Sequence, residues 1–216
     1  ANSKHNMPKL NDILHASVET LTVEQIPTPR LDAEILLAHA LHVDRSWLHA
    51  HDEAEISAKQ AQIVQGFVER RIDREPVAYI TGIKEFYGRE FIVTTDVLIP
   101  RPETEDLVEL ALTDKAPLRK VIDVGSGSGC IGVTLKLERP GWDVTLVDSS
   151  KPALEIAERN AKKLGAAVST MESNLLSSFS EEFSCDIIIA NLPYVDESWK
   201  TSPETAHEPA LALYAE

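Results

Sequence analysis

The sequence contains few cysteines, no long apolar run, and too few basic residues to balance its acidic ones. Its two cysteines, Cys130 and Cys185, lie far apart and match neither a disulfide framework nor a metal-ligand spacing. We therefore expect buried thiols in a reducing cytoplasm, and no metal site. No apolar stretch approaches the roughly 20 residues that a membrane-spanning helix needs, so we expect no association with a membrane.

The net charge of −14 comes from 35 acidic residues against 21 lysines and arginines. Proteins that bind nucleic acids draw much of their affinity from basic side chains that neutralise phosphates. The nearest approach to a basic cluster is Arg70, Arg71 and Arg74, and acidic residues alternate with them, which is typical of a solvated helix face. The composition therefore predicts no direct contact with nucleic acid and favours a basic protein partner.

An apolar run that ends in a glycine-rich turn dominates the middle of the chain. Residues 121–124 are typical of a buried parallel strand, and the three glycines of 125–129 allow the backbone to turn sharply and approach a ligand. A second apolar strand, 144–147, ends at Asp148, and this spacing suits a carboxylate that accepts hydrogen bonds from ribose hydroxyls. The two strand ends together predict a nucleotide-like ligand, with a tight turn that binds nothing as the alternative.

The residue just before the turn indicates which ligand this is. Gly127-x-Gly129-x-x-Gly132 also fits the dinucleotide fingerprint, but Gly125 already follows the strand directly. A carboxylate at Asp123 suits a positively charged ammonium group better than it suits a pyrophosphate. S-adenosylmethionine carries an ammonium, a sulfonium, a ribose and an adenine, and it is the cofactor that this pattern predicts.

The N-terminal part of the chain, residues 1–75, has the apolar spacing of a small helical bundle. Thr28 is predicted to cap a helix that begins at Pro29, because proline suits the first helical position. Ser57 and Gln60 have the spacing of a capping box at the start of a later helix.

The next part, residues 76–104, is predicted to form a β-hairpin and a linker. Strands are expected at 86–93 and 97–99, with a turn between them. The prolines of residues 100–105 stiffen the segment that follows and exclude a helix there. This segment carries Arg101, and it is either a lid over the ligand or simply a connection between domains.

The last part, residues 105–216, alternates strands and helices, which is typical of parallel βαβ units. The strand at 186–190 is predicted to be the most strongly buried of the sheet. Asn191 and Tyr194 follow its carboxyl end, the edge where such sheets bind ligands. The Asn191 side-chain oxygen and the Leu192 carbonyl could accept both hydrogens of a planar NH2 group, although an asparagine that merely caps a turn is the alternative.

Several stretches of the chain match one known family. They are residues 30–34, 76–82, 85–88, 98–105 and 123–129, together with Asp148, Asn160 and the segment that starts at Asn191. In these stretches the chain resembles the HemK/PrmC family, the protein-(glutamine-N5) methyltransferases that modify peptide chain release factors. The resemblance covers nearly the whole chain.

The resemblance implies an α/β fold with a Rossmann-like class I methyltransferase domain at 105–216, a helical domain at 1–75 that docks the release factor, and a connecting β-hairpin with a linker at 76–104. It implies contacts to S-adenosylmethionine from Asp123, Gly125, Ser126, Gly127, Ser128, Gly129, Asp148, Leu175 and Asn191. It implies that the catalytic and substrate-binding contacts to the glutamine amide come from Asn191, Leu192, Pro193 and Tyr194.

Three features depart from the family pattern. Leu175 stands where some members have a larger residue that lines the adenine pocket. Leu192 stands where the family has a proline, although its backbone carbonyl can still accept a hydrogen bond. The segment 208–213 matches one that further strands normally follow, so we expect a C-terminally truncated chain that lacks the last strands of the sheet.

The implied reaction is a direct displacement, in which the glutamine nitrogen attacks the methyl group of the cofactor, the bond from that methyl group to sulfur breaks and S-adenosylhomocysteine leaves. The methylated amide loses its extra proton afterwards. Two alternatives remain at this point: an adenine-N6 nucleic-acid methyltransferase, and a non-catalytic fragment that binds a cofactor or a partner. The acidic charge argues against the first of these. We expect a monomer.

Overall fold

The computed structural model describes residues 7–196 and 198–214, and its contacts divide the chain into two units. The first unit ends at Thr81 and the second begins at Gly82. Within the part of the chain that is described, no helix is both long enough and apolar enough to cross a membrane.

Five helices form the first unit: α1 (Leu10–Val23), α2 (Pro29–Leu41), α3 (Arg45–Ala50), α4 (Ala58–Ile72) and α5 (Val77–Thr81). The predicted capping box of α4 is present, because Ser57 and Gln60 exchange side-chain-to-backbone hydrogen bonds. Helix α2 begins at Pro29 as predicted, but the Thr28 hydroxyl donates to the Asp32 carboxylate and does not cap the backbone.

A buried ion pair joins α2 to α4 in this unit. The Arg71 guanidinium donates to the Asp32 carboxylate at 2.7 Å, and both residues are buried. The prediction of a solvated helix face is therefore wrong for Arg71, although Arg74 donates to the exposed backbone carbonyls of Glu24 and Gln25. The pair is possible because each charge neutralises the other away from water.

The second unit opens with a hairpin of β1 (Ile83–Phe86) and β2 (Arg89–Ile92), which pair antiparallel. Tyr87 and Gly88 both have positive φ, at 51° and 68°, as in a two-residue hairpin turn. The prediction of strands at 86–93 and 97–99 was therefore wrong. Apolar residues alternate along this segment and predict longer strands. In the structure the alternation of buried residues continues past Ile92, but the backbone there is irregular.

The stiff connector leads to α6 (Glu105–Leu112). The prolines were expected to exclude a helix here, yet Pro102–Thr104 forms one 3-10 turn with Pro102 at its start, where a missing N–H costs nothing. The Glu105 carboxylate accepts a hydrogen bond from the Tyr87 N–H at 2.8 Å, which fastens the hairpin turn to α6.

A four-stranded parallel sheet forms the centre of the second unit. It contains β3 (Lys120–Val124), β4 (Asp143–Asp148), β5 (Ser169–Glu172) and β6 (Ile187–Ala190), in the order β5-β4-β3-β6. Helices α7 (Cys130–Glu138) and α8 (Lys151–Leu164) follow β3 and β4, as predicted for βαβ units. The apolar core between sheet and helices includes Val121, Val133, Leu135, Trp142, Val144, Leu146 and Ala157.

The sequence predicted that β6 is the most buried strand, and this prediction is wrong. Strand β6 lies at an edge of the sheet. Ile189 is buried, whereas Ile188 is 53% exposed, because only β3 pairs with β6 among the described residues. After β6 the chain forms a 3-10 segment, Pro203–His207, and the short helix α9 (Ala210–Leu213).

Candidate functional site

A cavity of about 510 Å³ opens at the carboxyl ends of the parallel strands, entirely within the second unit. This volume lies within the range typical of small-molecule sites. Most of the sequence-predicted site residues line it: Gly125, Ser126, Gly127, Ser128, Asp148, Leu175, Asn191, Leu192 and Pro193. The predicted site residues at or just after the ends of four different strands therefore meet in one place.

The glycine-rich loop forms one wall of this cavity. Gly125, Gly127 and Gly129 all have positive φ, a conformation that other residues rarely adopt. Most of the amides in the loop are bonded within the protein: Gly125 and Ser126 donate to the Val147 carbonyl, and Gly129 donates to the Ser126 carbonyl. The loop is thus preorganised by its own hydrogen bonds.

Asp148 connects this loop to the end of β4. One carboxylate oxygen accepts the Gly127 N–H at 2.8 Å, and the other accepts the Ser150 N–H at 2.9 Å. Each oxygen keeps further acceptor capacity for a ligand. Asp148 can therefore hold the loop and accept hydroxyl hydrogens of a ligand at the same time.

Asp123 lies behind the loop, where it is 1% exposed, and it is not among the residues that line the cavity. One carboxyl oxygen accepts the Gly132 N–H at 2.8 Å, while the other has no hydrogen-bond partner within the described chain. Burial, and to a smaller extent the nearby Asp148, raise the pKa of this carboxyl to about 7, against the lowering by the Gly132 N–H. Gly129, like Asp123, is a predicted site residue outside the cavity lining, packed against Ala157.

The Asn191 turn also lines the cavity, next to the glycine-rich loop. The Asn191 side-chain nitrogen lies 3.4 Å from the Thr104 hydroxyl, so its amide plane is tied loosely to the connector. A β-carbon on Gly125 would lie only 3.2 Å from the Leu192 side chain. The close approach of Leu192 therefore requires the absence of a side chain at Gly125.

A second cavity of about 450 Å³ adjoins the first. Asn191, Leu192 and Pro193 line both cavities, whereas Tyr194 lines only the second and is 72% exposed. The Asn191 turn thus stands between two compartments, one beside the glycine loop and one beside the connector.

Arg101 and Glu208 form a contact that sequence reasoning did not anticipate. Arg101 lines both cavities and pairs with the buried carboxylate of Glu208, which also accepts the Ile99 N–H at 3.2 Å. The two partners are 107 positions apart in the sequence, so no local pattern predicts this pair. Glu208 thereby fastens the connector to the C-terminal segment.

Other candidate chemistry is not supported by the geometry. Burial raises the pKa of the Cys130 thiol to about 12, which leaves it protonated and unreactive. No group of three or more potential metal ligands occurs in the part of the chain that the structure describes.

Two family models match the chain. Residues 12–82 match the PrmC N-terminal domain, and residues 104–209 match the methyltransferase small domain. Together they cover both units.

Curated relatives match over most of the chain. A release factor glutamine methyltransferase of Koribacter versatilis is 44% identical over 191 residues, which is 87% of this chain and 68% of the relative. One of Leptospira interrogans is 41% identical over 213 residues, which is 94% of this chain and 74% of the relative. Among solved structures, a 16S rRNA methyltransferase of T. thermophilus in complex with AdoMet and guanosine gives a TM-score of 0.44 at 22% identity, over 54% of this chain and 33% of that one.

Proposed function

The chain belongs to the family of release factor glutamine methyltransferases, and from this membership we propose what it does. It transfers a methyl group from S-adenosylmethionine to the side-chain amide nitrogen of a glutamine in a peptide chain release factor. One observation of the structure carries the proposal: the glycine loop, Asp148 and the Asn191 turn all line one cavity.

The volume and the lining residues of the cavity suit S-adenosylmethionine. We propose that the loop of residues 125–129 lies against the cofactor and that Asp148 accepts hydrogen bonds from its ribose. Leu175, 52% exposed at the cavity edge, offers an apolar surface to the adenine. The Ser126 hydroxyl is buried, has no hydrogen-bond partner among the described residues and belongs to a cavity-lining residue, so a polar ligand group would satisfy it.

The sequence predicted that Asp123 contacts the ammonium group of the cofactor, and the structure leads us to propose a different role. Its free carboxyl oxygen is buried behind the loop. We propose that Asp123 supports the loop and the start of α7 through the Gly132 N–H, and that any contact to the ammonium group is secondary.

When bound, S-adenosylmethionine supplies an electrophilic methyl group on a sulfonium. The amide nitrogen of glutamine is a weak nucleophile, because its lone pair is delocalised into the carbonyl group. The Asn191 side-chain oxygen and the Leu192 carbonyl would accept its two hydrogens and orient it, and Tyr194 would stack on its plane. Such contacts favour the reorganised nitrogen of the transition state over the ground state, and positioning adds to their effect.

We propose that the helical unit, up to about residue 75, recognises the release factor and takes no part in the chemistry. The net charge of −14 supports a protein substrate without direct nucleic-acid contacts. Free Cys130 and Cys185 support a cytoplasmic location, where thiols stay reduced.

Methyl transfer from labelled S-adenosylmethionine tests this function. The substrates are a purified release factor, the same factor with its acceptor glutamine replaced by asparagine, and duplex DNA. We expect label only on the unaltered factor, at the glutamine side chain. Label on adenine in DNA would favour a nucleic-acid methyltransferase, and cofactor binding without any transfer would favour a non-catalytic module.

A further inference from the structure

Asn160 of α8 lies near the site and is 0% exposed, and its amide oxygen and both amide hydrogens form hydrogen bonds. Its oxygen accepts the Ile92 N–H at 2.7 Å. Its nitrogen donates one hydrogen to the Ile92 carbonyl at 3.0 Å and the other to the Ser128 carbonyl at 2.9 Å. A single side chain thus binds the end of β2 and the glycine loop together.

The geometry of these bonds fixes the orientation of the Asn160 amide. The Asn160 amide accepts from the Ile92 N–H and donates to the Ile92 carbonyl, as the backbone of a neighbouring strand would. These two bonds occupy the amide oxygen and one amide hydrogen. A flipped amide would set its oxygen against two carbonyl oxygens and its nitrogen against an N–H. Asn160 can therefore hold Ser128 in only one position relative to Ile92.

Both anchored segments lead directly into the cavity. Ser128 lines one wall, and the backbone that leaves Ile92 reaches Asp96, Val97 and Leu98, which line another. The distance between these walls is therefore set through the Asn160 amide.

The hairpin has other attachments to the rest of the second unit, and these do not touch the glycine-rich loop. Arg89 pairs with Glu138 of α7, and Lys163 of α8 donates to the Glu90 carbonyl. The Glu105 carboxylate holds the hairpin turn. The bond from Asn160 to Ser128 is thus separable from the task of docking the hairpin.

We propose that Asn160 is a positioning residue for cofactor binding, which holds the glycine loop at a fixed distance from the wall formed by residues 96–98. The inference rests on the proposed function, since it takes the ligand of this cavity to be S-adenosylmethionine. Asn160 does not touch the ligand and acts only through Ser128 and Ile92.

Calorimetry with S-adenosylhomocysteine tests this role in four variants. Asn160→Ala removes all three bonds, and Asn160→Asp keeps the bond from the Ile92 N–H but loses both donors. Lys163→Met cuts a hairpin attachment on the same helix, and Val144→Ala weakens the core without reaching the cavity. We expect the dissociation constant to rise about tenfold or more in both Asn160 variants and to stay within about twofold in the two controls.

Amide hydrogen exchange separates positioning from general stability. In folded Asn160→Ala, the Gly129 amide should exchange faster, whereas in Lys163→Met it should not. In the unaltered chain, S-adenosylhomocysteine should slow exchange at Ile92, which does not line the cavity. This last measurement needs no variant, so it decides the question even if the Asn160 variants fail to fold.

Two kinds of failure are distinguishable. If the unaltered chain and the Asn160 variants bind S-adenosylhomocysteine equally well, this inference is overturned while the proposed function stands. The same holds if S-adenosylhomocysteine binds but leaves the exchange rate of the Ile92 amide unchanged. If the unaltered chain does not bind S-adenosylhomocysteine at all, the proposed function fails, and the inference fails with it.

Discussion

Asp148 and Asp123 stand at the ends of neighbouring strands and have different tasks. Asp148 lines the cavity and bonds two backbone amides, so a ligand and the loop share its oxygens. Asp123 is buried behind the loop and bonds only one amide among the described residues. The difference in burial decides which of the two contacts a ligand.

Replacing Asp148 with alanine should weaken binding of S-adenosylhomocysteine. Charge-assisted hydrogen bonds of this kind contribute roughly 1.5–3 kcal/mol, which corresponds to about tenfold or more in the dissociation constant. Asp143→Ala, at the exposed other end of β4, is the matched control. Equal affinity of the Asp148 variant and the control in calorimetry would contradict the assignment.

Asp123 should make stability depend on pH in an unusual direction. Because its pKa is raised to about 7 from an ordinary value of 3.8, the folded protein holds a proton that the unfolded chain releases. The stabilisation is fully present below about pH 4 and is lost as the pH rises towards 7, with a slope of at most about 1.4 kcal/mol per pH unit. Asp123→Asn should remove this slope in urea unfolding curves, whereas parallel curves for the two proteins would contradict the account.

At the scale of elements, the junction of β3 and α7 depends on tight packing of helix against strand. A β-carbon on Gly132 would lie 2.2 Å from the Leu146 side chain and 3.0 Å from the Asp123 carboxylate. In contrast, a β-carbon on Gly66 of α4 would meet nothing within 4 Å. A side chain at Gly132 would therefore clash with its neighbours, whereas a side chain at Gly66 would not.

We expect Gly132→Ala to destabilise the protein by about 1–3 kcal/mol, as overpacking of a core does. Gly66→Ala should stabilise it by roughly 0.5–1 kcal/mol, because alanine favours the helix more than glycine. Thermal unfolding of both variants measures the difference. A Gly132 variant as stable as the unaltered chain would show that the junction has room for a side chain.

The elements differ in how well the sequence predicted them. The glycine loop and the parallel strands were predictable, because buried strands and positive-φ glycines leave local patterns. The hairpin was misplaced, because its turn uses Tyr87 at positive φ, which is uncommon for an aromatic residue. The exposure of Ile188 depends on which strands lie beside β6, and the bonds of Asn160 and Glu208 join distant segments, so no local pattern predicts them.

At the scale of the whole molecule, recognition and chemistry are assigned to different units. All residues of both cavities lie beyond Gly82, while the matched PrmC N-terminal domain covers the helical unit. The proposed substrate is a folded protein, so most of its binding free energy can come from surfaces remote from the glutamine.

A chain that begins at Gly82 should keep its affinity for S-adenosylhomocysteine, since the cavity needs no residue of the first unit. Its kcat/KM on an intact release factor should fall by about tenfold or more, because remote binding surfaces are lost. A short peptide that contains the glutamine is the control substrate and should be methylated equally by both chains. Equal efficiency on the intact factor would remove recognition from the helical unit.

The central claim is that the Asn191 turn orients a glutamine amide beside the cofactor. Single-turnover methylation of a release factor by the unaltered chain and by Asn191→Ala tests it most directly, with circular dichroism and thermal unfolding as the controls for folding. Loss of one preorganised polar group should slow the transfer by about 100-fold or more, while the apparent affinity for the release factor changes little. A folded Asn191→Ala protein that transfers the methyl group at a near-normal rate would contradict the account.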